Sequence, residues 1–192
     1  MIKMRIASVL LGTFLAASAL AATEAYTLDP AHTVPTFEVT HLGFFTRVGR
    51  FDKTVGKVSV DRDTRKGRLE VTVEAASIST GHAKLDQHLR SQDFLHAEMF
   101  PALSFKSDEF TIDGDKLESI PGQLTIRGVT HPVTLQVASF KCSMHPFFKK
   151  EACGVRAIAT IKRSEFGIKF GLPNSISDEV KLIIDSEAIK DS

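Results

Sequence analysis

From residue 33 to residue 184 the chain repeats one pattern: apolar side chains at every second position, cut at short intervals by glycine, proline or charged clusters. A period of two is the signature of strands with one buried face. Phe37, Val39 and His41 lie on one side of residues 33–41, with Thr36, Glu38 and Thr40 on the other. A second strand is expected through Val48 to Val60, bent at Gly49 and Gly56, and Leu69, Val71 and Val73 form the next. Leu103 and Phe105 open a strand that continues through Phe110 and Ile112 to the turn Asp113-Gly114-Asp115. Leu124 and Ile126, then Val133, Leu135 and Val137, flank a turn over Gly128–Pro132. Phe140–Gly154 reads as a loop, followed by Val155, Ala157, Ala159 and Ile161 on one face and a last strand with Val180, Leu182 and Ile184. Seven to nine sequential strands with one wet face make an antiparallel sandwich or barrel. Sequential hairpins favour the barrel, because closure removes exposed edges. An interior of about eight strands either fills with side chains or holds one ligand.

One segment breaks the pattern. Within residues 79–101, Leu85, His88, Leu89 and Gln92 fall at i, i+3, i+4 and i+7, which predicts a helical segment over about 81–100 beside the barrel mouth. Asp86 and Arg90 are spaced for a helix ion pair. His82 and Asp86 are also four apart, a spacing that suits two metal ligands, but no third is evident and no metal site is expected.

The N-terminus reads as an export signal: Lys3 and Arg5, an apolar run from Ile6 to Leu20, and Ala19-Leu20-Ala21 before a cut after Ala21. Residues 1–21 are thus a cleaved leader and 22–192 one domain of 171 residues, enough for a sizeable core. The remaining 22 basic and 23 acidic residues nearly cancel, which argues against nucleic acid as a partner. The only two cysteines, Cys142 and Cys153, predict a disulfide in an oxidising compartment such as the periplasm. Thirteen phenylalanines beyond the leader, no tryptophan and the small Ala157 and Ala159 offer apolar lining with room to spare, though an ordinary packed core fits the same pattern.

Several stretches together resemble a known family. They are Tyr26-Thr-Leu-Asp-Pro-Ala-His32, Phe37-Glu-Val-Thr-His41-Leu-Gly-Phe44, Asp86-Gln-His88-Leu-Arg-Ser-Gln-Asp-Phe94 and Pro101-Ala-Leu-Ser-Phe105. Gly122-Gln-Leu-Thr-Ile-Arg-Gly128-Val-Thr-His-Pro132-Val-Thr-Leu135, Arg163-Ser-Glu-Phe166-Gly167 and Glu179-Val-Lys-Leu182 complete the series. In this order they resemble the YceI-like family of periplasmic, polyisoprenoid-binding, lipocalin-like proteins. The resemblance implies an all-β fold with a short helix, an extended eight-stranded antiparallel lipocalin-like barrel. Its lumen would hold a long isoprenoid or other amphiphilic lipid such as a polyprenyl chain, quinone or fatty amide, and the family is linked to stress. No other cofactor is expected. The Cys142–Cys153 loop, with Phe147 and Phe148 inside it, departs from many members; its phenylalanines would cover one end of the pore or meet a partner. Expected partners are the hydrophobic ligand and, transiently, inner-membrane proteins, with the chain a monomer or homodimer.

On that frame the expected ligand-binding residues are Phe37, Val39, His41, Leu69, Val71, Val73, Leu103, Phe105, Leu124, Ile126, Leu135, Val155, Ile161, Leu182 and Ile184 of the strands. Leu85, His88, Leu89 and Phe94 of the helical segment join them, with His88 either turned towards a ligand head group or held within the fold as a structural histidine. Arg47, Arg50 and Arg90 are candidates for meeting a diphosphate head. No catalytic residue is expected: no Ser sits in a nucleophile elbow, and no carboxylate pair is readable. A passive scavenger of hydrophobic toxins or antibiotics would use the same barrel, and an enzyme acting on an isoprenoid lipid is the remaining alternative.

Overall fold

Alternation, turn chemistry and closure explain the architecture of the computed structural model, which describes residues 23–192. The expected leader and its cleavage point lie outside the described residues. Eleven strand segments form one antiparallel sheet: β1 (Glu24–Leu28), β2 (Val34–His41), β3 (Phe45–Phe51), β4 (Thr54–Asp61), β5 (Lys66–Glu74), β6 (Ile78–Ser79), β7 (Ala102–Thr111), β8 (Ser119–Ile126), β9 (Val129–Met144), β10 (Glu151–Lys162) and β11 (Ile176–Lys190). Eight of them close a ring in the order β1-β4-β5-β7-β8-β9-β10-β11, with Tyr26 opposite Lys190 at the seam. The fold is therefore an eight-stranded closed antiparallel barrel with one short helix, α1 (Ala83–Arg90).

Three staves of this barrel are broken in two. β1 and β2 lie end to end along β11, β4 and β3 along them, and β5 and β6 follow, with a 3-10 turn at Ala75–Ser77 between the last two. The breaks divide the barrel into a lower half, closed by β1 and β4, and an upper half built on β2 and β3. β6 meets β3 through two residue pairs, and the chain then leaves the sheet for α1 and a series of turns before returning as β7.

The strand from Val48 to Val60 is in fact the broken stave β3–β4, with the break at Asp52–Lys53. Gly49 serves close approach there. It sits opposite Phe37 in the ladder, and a Cβ on it would lie 2.6 Å from Phe37 Cε1, so glycine makes room for the ring. The helix is shorter than the expected 81–100; residues 91–99 are turns. The turn expected over Gly128–Pro132 is the tighter pair Arg127–Gly128, both at positive φ, and β9 begins at Val129. Such two-residue turns fit the twist of the strands they join.

Most of the expected 140–154 loop is strand. β9 runs to Met144 and β10 starts at Glu151, because Phe140, Lys141, Cys142 and Ser143 continue the pairing with β10. Cys142 and Cys153 are direct ladder partners and form a disulfide with Cα atoms 4.0 Å apart. β1 was not expected from periodicity. Its five residues, Glu-Ala-Tyr-Thr-Leu, show too little of the alternation for a strand to be read from them.

Candidate functional site

The inward faces of the strands enclose two apolar compartments. The lower one, about 180 Å³, is walled by Leu69, Val71, Val73, Phe105, Leu124, Leu135, Val155 and Ile184 among others. The upper one, about 370 Å³, includes Val39, His41, Leu85, Leu89 and Phe94. Phe37, Phe51, Leu103, Ile126 and Leu182 belong to both walls, so the compartments meet at a waist of five apolar side chains. Phe37 and Phe51 face each other across it with ring centroids 6.1 Å apart.

Two expected lining residues lie elsewhere. Ile161 is buried in the packing around Phe166 and Ile168, behind the upper wall rather than on it. His88 is turned away from the lumen: its Nε2 lies 3.0 Å from Asp93 Oδ2, and its ring packs edge-on against Phe94 and Phe170. The helix leans on its leucines, and His88 falls at the flank of that face, where a carboxylate and two rings hold it.

The helix begins with a local cap. His82 Nδ1 accepts a hydrogen bond from Leu85 N–H, filling the role of an N-cap side chain. Asp86 does not pair with Arg90. It is buried and accepts from both the backbone N–H and the hydroxyl of Thr80, at 2.8 and 2.7 Å. Arg90 donates instead to Ile78 O, tying α1 to β6. Both bonds to Asp86 are charge-assisted and short, and they come from a residue six positions earlier in the chain.

Arg163 holds the rim of the upper compartment. It is 5 % exposed and donates to four backbone oxygens, of Ser177, Ile168, Phe170 and Ile176, at 2.8–3.1 Å. Two of these carbonyls, of Ile168 and Phe170, belong to the irregular 167–175 segment, and two, of Ile176 and Ser177, to the start of β11, where the pairing with β2 shifts register. Burial lowers the guanidinium's pKa from its ordinary value, and the charge of Asp178 opposes that shift. Asp178 itself accepts from the backbone and hydroxyl of Ser164.

The lower compartment ends on a polar floor. Arg62 bonds Glu24 at 2.8 Å, the Tyr26 hydroxyl at 2.8 Å and Glu151 at 2.7 Å, while Lys190 lies 2.6 Å from the other oxygen of Glu24. The bond from Lys190 leads the interactions that hold Glu24 well below the usual carboxylate range, at about 2. Burial, together with the bond it donates to Glu24, pushes Tyr26 up to about 12.

Arg47 lines the upper compartment, with its guanidinium over the Phe45 ring. Arg50 pairs with Asp52, and Arg90 with Ile78 O, so neither lines a compartment. Phe147 and Phe148 cover neither compartment. Phe147 is 85 % exposed, and Phe148 stacks on His145. Periodicity missed Arg163, the floor and the lumen hydroxyls of Thr33 and Thr54. Arg163 and Tyr26 did stand in the matched stretches, but nothing in their spacing indicates a loop clamp or a floor.

Fold and cavity together define a closed barrel built around an internal apolar space. The chain belongs to the YceI-like family: the YceI-like domain matches residues 26–188. The chain is 35% identical to a UPF0312 protein of Pseudomonas aeruginosa strain LESB58 over 99% of its own length and 100% of the relative's. It is 36% identical to Protein YceI of Escherichia coli O157:H7 over 92% of each chain. Among solved structures, Burkholderia cenocepacia BcnA superposes with a TM-score of 0.71 at 22% identity, covering 83% of this chain and 98% of that one. A polyisoprenoid binding domain from Saccharophagus degradans, implicated in plant cell wall breakdown, gives 0.64 at 15% identity, covering 86% and 98%. Both likenesses concern the fold.

Proposed function

We propose that this protein is an exported, non-catalytic carrier that holds one long isoprenoid, or a comparable amphiphilic lipid such as a quinone or fatty amide, along the barrel axis. The observation that carries this reading is the waist. Because Phe37, Phe51, Leu103, Ile126 and Leu182 wall both compartments, a guest that passes between them is in apolar contact along its whole length. A dozen buried methylene-sized groups contribute ~10 kcal/mol before costs. Association costs ~4–15 kcal/mol, so short molecules bind poorly and long ones well. A flexible polyprenyl chain suits such a space, and the polyisoprenoid-binding description of the Saccharophagus neighbour supports the assignment.

The Lys3–Ala21 leader pattern and the Cys142–Cys153 bridge support a periplasmic location. The ligand-contacting residues in this reading are the waist residues, with Leu69, Val71, Phe105 and Leu124 below and Val39, Leu85, Leu89 and Phe94 above. Mass spectrometry of an organic extract of the purified mature protein tests the proposal. A stoichiometric long-chain lipid, released unchanged, is the expected result. Protein that yields no lipid and takes up no polyprenyl alcohol contradicts it, and conversion of the lipid would make the protein an enzyme.

A further inference from the structure

The lower compartment is not uniformly apolar. Thr54 opens β4 directly opposite Val73 of β5, and directly opposed residues of a ladder share a face. Both lie on the lower wall. Thr54 is 1 % exposed, and its Oγ1 has no hydrogen-bond partner among the described residues. Leaving a buried hydroxyl unpaired is unfavourable, so such a group is expected to meet a partner when the protein is at work.

The neighbouring wall does not supply one. Thr33 Oγ1 is taken up by Ser186 Oγ at 3.1 Å and by the Glu187 carbonyl at 3.4 Å. The Tyr26 hydroxyl on the floor already donates to Glu24 and accepts from Arg62. Water is a poor guest at this position, because a buried water needs about two to four polar partners and Thr54 offers a single free one. A ligand oxygen needs only that one bond.

We infer that Thr54 is an oxygen-recognising station within the lumen, and that the preferred ligand carries a hydroxyl or carbonyl oxygen which passes the waist and accepts or donates a hydrogen bond at Thr54 Oγ1. The inference rests on the lumen-binding reading above and adds two things to it: an oxygen function on the ligand, and the depth at which it sits. The competing place for a ligand oxygen is the mouth, where His41 Nδ1 on the upper wall is likewise without a partner among the described residues. His41 as a whole is half-buried at the rim, although its Nδ1 is as enclosed as Thr54 Oγ1; Thr54 differs in belonging to the lower wall alone, below the waist.

Two isoprenoid probes that differ chiefly in one hydroxyl, farnesol and farnesene, separate the possibilities when their affinities are measured for the wild type and for three variants. Thr54→Val keeps the side chain's shape and removes the hydroxyl; Thr54→Ser keeps the hydroxyl; His41→Phe removes the mouth station. The ratio of farnesol to farnesene affinity is expected to fall about fivefold in Thr54→Val and to stay within twofold of wild type in Thr54→Ser and His41→Phe. Matched melting temperatures confirm that the variants are folded, and Thr54→Ala, which also lacks the hydroxyl, takes the place of Thr54→Val if that variant does not fold. An unchanged ratio in Thr54→Val overturns the inference while leaving the lipid-binding reading intact. A fall in His41→Phe instead places the oxygen at the mouth and also overturns it. Wild-type protein that binds neither probe removes both the station and the reading beneath it.

Discussion

The two halves of the barrel reach the same apolar interior by different means. The lower half is a regular ring: eight paired strands, a disulfide across the β9–β10 ladder and a charged floor of Glu24, Tyr26, Arg62, Glu151 and Lys190. The upper half lacks that continuous pairing. Its wall is completed by α1, by the turns that follow it, and by the 167–175 segment, fixed to Arg163 through the carbonyls of Ile168 and Phe170. Backbone hydrogen bonds hold the lower cavity, whereas side chains bonded to backbone hold much of the upper one. Segments with few ladder bonds open at lower free energy than ladder strands do. On the proposed carrier reading, the upper half would be the side on which a long guest enters and the lower half the side that holds it.

Removing Arg163 is the severest way to break this contrast. Arg163→Met leaves four carbonyl acceptors without their donor, and the expected loss is ~3 kcal/mol or more of stability, seen as a large fall in melting temperature. If the halves are as separate as described, the Tyr26 titration should keep its midpoint in the folded variant. A shifted midpoint would mean that the upper loops also position the floor.

Reducing the disulfide acts on the opposite half. The bridge closes a short loop, and its loss is expected to cost roughly 3 kcal/mol in the chain-entropy account. Thermal unfolding with and without reductant reads this, with thiol counts confirming reduction. An unchanged melting temperature would show that the ladder alone fastens that end.

The floor should also set the response to pH. The chain has a single tyrosine, so tyrosinate absorbance reports Tyr26 without interference. Its midpoint is expected near 12 in the folded protein, against an ordinary value of 10.0 when unfolded. A raised folded pKa contributes stability that is fully present below 10.0 and lost as pH rises through about 12. Glu24 works in the opposite sense. Its stabilisation is present above 4.5 and is lost as pH falls towards about 2, a contribution on the order of 2 kcal/mol once its partial exposure is discounted. A Tyr26 midpoint near 10 would mean that the floor is open to water.

The halves differ just as much in how far the sequence discloses them. The lower walls come directly from alternation: Leu69, Val71, Val73, Leu135, Val155 and Ile184 are inward because every second residue is apolar, and all line the lower compartment. The upper half depends on polar contacts that have no period. Nothing in the spacing of Asp86 shows that it turns back to Thr80 rather than onward to Arg90, or that His88 meets Asp93 outside the lumen. Ile161 fits the alternation of β10, yet it is buried in one cluster with Phe166 and Ile168 and lines neither compartment. Alternation assigns a residue to a face; it does not say whether that face meets space or another side chain. The Thr54 hydroxyl was hidden for a related reason, since a threonine at a strand start is ordinary in sequence and becomes unusual only when its surroundings are apolar.

The central claim is that the two compartments form one path for a long apolar chain. Titrating the protein with prenyl alcohols of increasing length, followed by the emission of Tyr26 on the lower wall, tests it most directly because the chain has no tryptophan to mask the signal. Affinity is expected to climb with each added isoprene unit until both compartments are filled and then to level off, with a saturable change in Tyr26 emission at one ligand per chain. Affinity that does not depend on length, or a Tyr26 signal that saturating ligand leaves unchanged, would contradict it.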